Sequence, residues 1–164
     1  MPQNASSPPS AFPGFPSGFS LPWSGGGENA EFIPAALAGK IAVFYFYPRD
    51  NTPGCTLEAQ EFRDLYPEFL AAGAEIFGVS RDSLQSHDKF RAKQALPFPL
   101  LADTEEALCR LFDVIRQKTL YGKPVRGIER STFVFDRAGV LCREWRGVKA
   151  AGHAQAVLDF VRSL

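Results

Sequence analysis

Thr52, Pro53, Gly54 and Cys55 stand together where a run of apolar residues gives way to an amphipathic one. Thr52 suits a helix N-cap, and Pro53 suits the first helical position, where a missing N–H costs nothing. Cys55 then counts as the third residue of the helix. Unpaired backbone amides and the positive end of the helix dipole would surround its sulfur. Both favour thiolate over thiol, and thiolate is the nucleophile. The order T-P-G-C has the spacing of a C-x-x-C redox motif with Thr52 in place of the first cysteine. Dithiol exchange within the motif is therefore impossible. A hydroxyl at that position could donate to the thiolate or to an oxygen of a bound substrate. The chemistry moves from disulfide exchange towards attack on an O–O bond.

The flanking elements must hold this turn. "IAVFYFY", residues 41–47, is a near-continuous run of β-formers that suits a central strand buried on both faces. Pro48 ends it, because proline cannot donate to a ladder. After Cys55, the spacing of Phe62, Leu65, Tyr66, Phe69 and Leu70 predicts an amphipathic helix, with Gly73 as its stop. "EIFGVS", 75–80, reads as the next strand, and strand–helix–strand order implies a right-handed crossover and parallel pairing. The turn thus lies at the C-terminal end of a central parallel strand, where open α/β sheets place their chemistry.

Further along, "SLQSHDKFRAKQ" reads as a helix capped by Ser83, "FPLLAD" as a short strand and "EEALCRLF" as a short helix. "RSTFVFDRAGVLCREWRG" predicts an antiparallel hairpin turning at Asp136–Gly139. "AAGHAQAVLDFVRSL" predicts a closing helix with Ala156, Val157, Phe160 and Val161 inward. At the other end, "GFSLPWSGGGENAEFI" reads as a Gly-linked hairpin anchored by Phe19, Leu21 and Phe32, and "PAALAGK" as a helical turn. The fold class is α/β: a central mixed sheet, parallel at its centre, flanked by helices, with an N-terminal hairpin extension.

Composition sets the outer bounds. The 164 residues suit one domain, assigned to 18–164, after a Pro/Ser/Gly-rich tail at 1–17. Eighteen basic residues balance eighteen acidic ones, which argues against a nucleic-acid or acidic-membrane partner. No apolar run approaches the roughly 18–20 residues of a membrane span. The tail has no lysine or arginine, unlike a secretory signal or transit peptide, so the expected location is cytoplasmic. Three cysteines without metal-ligand spacing suit a reducing compartment.

The segment "YFYPRDNTPGCTLEAQEFRD" carries P-x-x-x-T-x-x-C as Pro48, Thr52 and Cys55. It resembles the active-site loop of the peroxiredoxins, and "FYPRDNTPGCTLE" is similar to the bacterioferritin comigratory protein (PrxQ-type) branch. The similarity continues through "LPFPLLAD", "YGKPVRGIERSTFVFD" and "EWRGVKAAGHAQAVL", roughly residues 40 to 160. It implies a thioredoxin-like fold and the reduction of hydroperoxides, with no cofactor. Carried over by position, Cys55 is the peroxidatic nucleophile, Thr52 donates to the peroxide oxygens and Pro48 shields the pocket from water. Arg130 stabilises thiolate and peroxide, a role that suits a fixed cationic fork. Glu58, one turn beyond Cys55, would orient that arginine. The product on the enzyme would be a sulfenic acid.

Many members of that branch resolve the sulfenic acid with a cysteine five residues on, where this chain has Gln60. The expectation is a one-cysteine enzyme reduced by an external thiol: thioredoxin, glutaredoxin or glutathione. Alternatives are an atypical two-cysteine enzyme with Cys109 or Cys142 as resolver, or a peroxide-sensing interaction module with little turnover. By residue type alone Cys109 reads as a half-buried helix thiol and Cys142 as a mid-strand one. His87 and His153 share no ligand spacing, so surface or capping roles are expected and metal binding is not. A monomer is expected.

Overall fold

The computed structural model describes residues 15–164. Strand β1 (Leu21–Ser24) pairs antiparallel with β2 (Glu31–Phe32), and a 3-10 turn follows at Pro34–Leu37. Then come β3 (Ile41–Phe46), α1 (Pro53–Ala71), β4 (Ala74–Ser80), α2 (Leu84–Gln94), β5 (Leu100–Ala102) and α3 (Ala107–Leu111). A hairpin, β6 (Ile115–Leu120) and β7 (Lys123–Ile128), precedes β8 (Ser131–Phe135), β9 (Leu141–Arg146) and α4 (His153–Arg162). Seven strands form one sheet in the order β2-β1-β5-β4-β3-β8-β9. β3, β4 and β5 run parallel, while β8, β9 and β1 are antiparallel to their neighbours.

The two-residue period of β3 divides the core. Ile41, Val43, Tyr45 and Tyr47 face one way, packing with Phe62 and Phe69 of α1, Phe90 of α2 and Val157 and Leu158 of α4. Ala42, Phe44 and Phe46 face the other way, onto Phe32, Leu37, Leu108, Cys109 and Phe112. Every residue of β3 is buried, as a strand covered on both faces requires.

The helix punctuation follows the residue types. Ser83 Oγ accepts from the Ser86 amide at 3.1 Å and caps α2. α1 runs through Pro67 to Ala71, and Gly73, at φ +84°, turns the chain into β4. In the β8–β9 turn, Asp136 Oδ1 accepts from the amides of Ala138 and Val140.

Several expectations change. The inward face of α4 is Ala154, Val157, Leu158 and Val161, with Ala156 exposed, because the helix begins at His153 and sets the phase of its buried stripe. Leu70 of α1 is 49 % exposed. Residues 1–14 of the expected tail lie outside the described residues. Phe15, placed in that tail by composition, is buried against Phe19 and Phe32. The β6–β7 hairpin was not expected. Most of its residues are exposed, so no apolar alternation marks it. His87 and His153 are buried, not superficial.

Candidate active site

The chain leaves β3 at Tyr47 and Pro48 and enters α1 at Pro53, so the intervening loop sits at the C-terminal end of the central strand. Thr52 occupies the N-cap position, and its carbonyl accepts the first helical bond from Thr56 N at 2.9 Å. Its side chain makes no cap bond. Instead Thr52 Oγ1 donates to the Arg49 carbonyl at 2.9 Å, which commits the hydroxyl proton. With that proton committed, the free capacity of the Thr52 hydroxyl is its lone pairs.

Cys55 is the third residue of α1 and only 2 % exposed, packed beside Tyr45 and Phe62. Arg130 comes to it from the far side of the chain. In the β3–β8 ladder Phe46 pairs with Ser131, so Arg130 lies one step beyond that pair, at the end of β3 where the loop begins. Its backbone carbonyl accepts from Val148 N at 3.1 Å. Its Nη2 donates to Cys55 Sγ at 3.6 Å and its Nη1 to Glu58 Oε1 at 2.6 Å. Gly54 makes room for this fork, since a Cβ there would stand 3.1 Å from Arg130 Nη2.

Glu58 follows Cys55 on the same helix and is fully buried. Burial pushes its carboxyl up to about 7, against the attraction of Arg130. Burial also opposes the charge on Arg130, but Glu58 and Cys55 outweigh it and hold the guanidinium above its ordinary value. Glu58 Oε2 and the Tyr45 hydroxyl are both buried without a hydrogen-bond partner among the described residues. Burial, then Glu58, Asp50 and Cys55, push the Tyr45 phenol well above its ordinary value, so it stays neutral.

Of the residues singled out in the sequence, the structure thus brings together Cys55, Arg130 and Glu58. Pro48 is exposed and lines a cleft of about 390 Å³ with Arg49, Arg81, Asp82, Thr104 and Glu106, a lining that omits Cys55. Cys109 is fully buried rather than half-buried, in the apolar cluster across the sheet from Cys55. Burial and then Asp103 hold its thiol well above the ordinary value. Cys142 is exposed on the edge strand β9, and Gln60 donates from Nε2 to Gln94 of α2 at 2.9 Å. His153 opens α4 with its Nε2 2.7 Å from Thr132 Oγ1. Burial, helped by Arg130, lowers its value to about 4, so the ring is neutral.

The sequence reading missed Tyr45 and a buried polar cluster around Asp50 and His87. Tyr45 reads as one more apolar strand residue, Asp50 fills an unspecified position between Pro48 and Thr52, and His87 lies in no motif. Their burial was the signal, and burial comes only with the fold.

A helix-start cysteine faced by an arginine, on a sheet that is parallel at its centre, defines a protein of thioredoxin-like architecture with a candidate redox thiol. Comparison with known proteins agrees. The AhpC/TSA family matches residues 15–143, and the chain belongs to it. Within that family it falls in the Bcp, or PrxQ, branch of the peroxiredoxins. Peroxiredoxin Bcp of Xanthomonas campestris is 56 % identical over 145 residues, covering 88 % of this chain and 90 % of that protein. Peroxiredoxin Bcp of Bacillus subtilis is 48 % identical, over 84 % and 88 % of the two chains. A structure of X. campestris peroxiredoxin Q superposes with TM-score 0.82 at 53 % identity, covering 88 % of this chain and 90 % of that one. Another, of X. campestris bacterioferritin comigratory protein, comes from trapped intermediate/ligand complexes bearing on its alkyl peroxide reduction activity; it has TM-score 0.82 at 52 % identity, over 88 % and 90 % of the chains.

Proposed function

We propose that this chain reduces hydrogen peroxide and alkyl hydroperoxides, with Cys55 as nucleophile and an external thiol restoring it. The distance of 3.6 Å from Arg130 Nη2 to Sγ carries the proposal. A guanidinium there stabilises the thiolate, and it also faces the oxygen on which charge grows as the O–O bond stretches. The thiolate sulfur takes the distal peroxide oxygen with its hydrogen, the O–O bond breaks, and the electron pair leaves on the proximal oxygen. Cys55 becomes a sulfenic acid, and the alkoxide or hydroxide takes a proton from solvent and departs as alcohol or water. Thr52, its own proton held by Arg49, accepts from the peroxide O–H and orients it. Glu58 fixes one edge of the arginine so that the other edge points at the sulfur. We assign Pro48 to the shape of the loop, because without an N–H it takes no ladder bond and the chain leaves the sheet there.

Resolution by an external thiol is favoured by the placement of the other cysteines. Cys109 is packed across the sheet, and the Gln60–Gln94 bond ties the second turn of α1 to α2. We assign the reductant to glutathione, glutaredoxin or thioredoxin, and the working form to a cytoplasmic monomer. The test is intact mass after one equivalent of hydrogen peroxide with dimedone and no reductant. A dimedone adduct mapped to Cys55 is expected. Loss of two hydrogens without an adduct would point to a disulfide with Cys109 or Cys142, and an unchanged mass would refute the peroxidase reading.

A further inference from the structure

Beneath the loop that carries Thr52 and Cys55 lies a second buried cluster, which the chemistry above leaves unused. Asp50 is 5 % exposed although it sits in a surface turn, between Pro48 and Thr52. Its Oδ1 accepts from Tyr47 Oη at 2.6 Å, and its Oδ2 accepts from Ser86 Oγ at 2.8 Å. The same Oδ2 lies 2.8 Å from Nδ1 of His87, which is fully buried. The Asp50 amide donates to Asp82 Oδ2 at 2.9 Å, and that oxygen also accepts from Ser80 Oγ at 2.5 Å. On the far side of the ring, His87 Nε2 is 3.0 Å from the carbonyl of Leu101.

Both ring nitrogens of His87 therefore face acceptors. A carbonyl can only accept, so Nε2 carries a proton. The Asp50 carboxylate is ionised, because the His87, Tyr47 and Ser86 donors outweigh burial and hold it below its ordinary value. The Nδ1 edge of the ring meets that carboxylate at 2.8 Å. The charged groups facing it are Asp50 from the loop and Asp82 from the end of β4, with the neutral Tyr47 hydroxyl from β3. The oxygens and nitrogen of Asp50, Asp82 and His87 lie within 4.8 Å of one another. Since these contacts already use them on donors and on one another, we read a hydrogen-bonded cluster, not a cation site.

This cluster is positioned to set the loop. Asn51, the next residue, adopts φ +65°, a left-handed conformation that asparagine tolerates in turns. We propose that Asp50, held by the buried side chains of His87, Tyr47 and Ser86, is the positioning residue of the peroxide-reducing loop. It ties the loop to α2 and to the ends of β4 and β5, so that Thr52 and Cys55 hold their places before Arg130. The proposal rests on the peroxidase reading only for its kinetic consequence. The order of the loop is measured without peroxide.

The test compares the native chain with Asp50→Asn and Ser86→Ala, by hydrogen-exchange protection of the 49–56 amides relative to those of α4 and by kcat and KM for hydrogen peroxide. In Asp50→Asn, loop protection and kcat/KM should both be about tenfold lower, with α4 protection unchanged. Ser86→Ala, a milder change should Asp50→Asn not fold, is expected to lower loop protection about threefold. Native loop protection in Asp50→Asn would overturn the proposal, as would unchanged loop protection in Ser86→Ala. The expected protection pattern in a chain that consumes no peroxide would support the positioning role and refute the peroxidase reading.

Discussion

Replacing Glu58 with glutamine tests the electrostatics of the site most directly. The carboxyl is fully buried, with Oε1 bonded to Arg130 at 2.6 Å and Oε2 without a partner among the described residues. Burial raises it from the ordinary 4.5 to about 7 in the folded chain. Between those values the native state holds a proton that the unfolded chain has released. Stability from this group is therefore fully present below about pH 4.5 and is lost as pH rises through about 7. The difference corresponds to about 3 kcal/mol, at roughly 1.4 kcal/mol per tenfold change in proton affinity. Glutamine keeps the shape and cannot titrate, so Glu58→Gln should remove about 2–3 kcal/mol from the fall in unfolding free energy between about pH 5 and about pH 8. Urea unfolding of the two proteins at both pH values, extrapolated linearly, measures it. Subtracting one profile from the other isolates Glu58 from all other titrating groups. The same substitution loosens the hold on Arg130, and kcat/KM for peroxide should fall about tenfold at neutral pH. Identical pH profiles in the two proteins would refute the buried-carboxyl account. So would a native chain that gains stability relative to Glu58→Gln as pH rises.

Gly54→Ala places a Cβ 3.1 Å from Arg130 Nη2, and the flexible guanidinium must yield, so peroxide turnover should drop about three- to tenfold with little change in Tm. Equal turnover would show that the position of Arg130 does not matter. Tyr45→Phe removes a buried hydroxyl that has no partner among the described residues, so urea unfolding should show no loss of stability and a gain of up to about 1 kcal/mol. A clear loss would mean that the hydroxyl is satisfied. In folded Cys55→Ser protein, iodoacetamide should label exposed Cys142 and spare Cys109 until denaturant is added. Labelling of Cys109 in the native state would contradict its packing.

What the amino-acid order determined by itself is local. The run 41–47 can be read as a buried strand because all its residues are apolar or aromatic, and both faces of β3 are indeed covered. T-P-G-C carries its own helix start, since Pro53 and the amides after it act through bonded neighbours, and α1 begins at Pro53 as expected. Gly73 ends that helix by its φ of +84°, and Asp136 organises its own turn. The β6–β7 hairpin escaped notice because a strand pair exposed on both faces leaves no periodic signature. Tertiary structure decided what depends on distant segments sharing a dielectric. The register of β8 against β3 aims Arg130 at a sulfur 75 positions earlier in the chain. Burial raises Glu58 to about 7, and it makes His87 the buried partner of Asp50 where spacing suggested a surface residue. The cost of a charge is set by the water excluded around it, and that exclusion exists only once the sheet and its helices have closed.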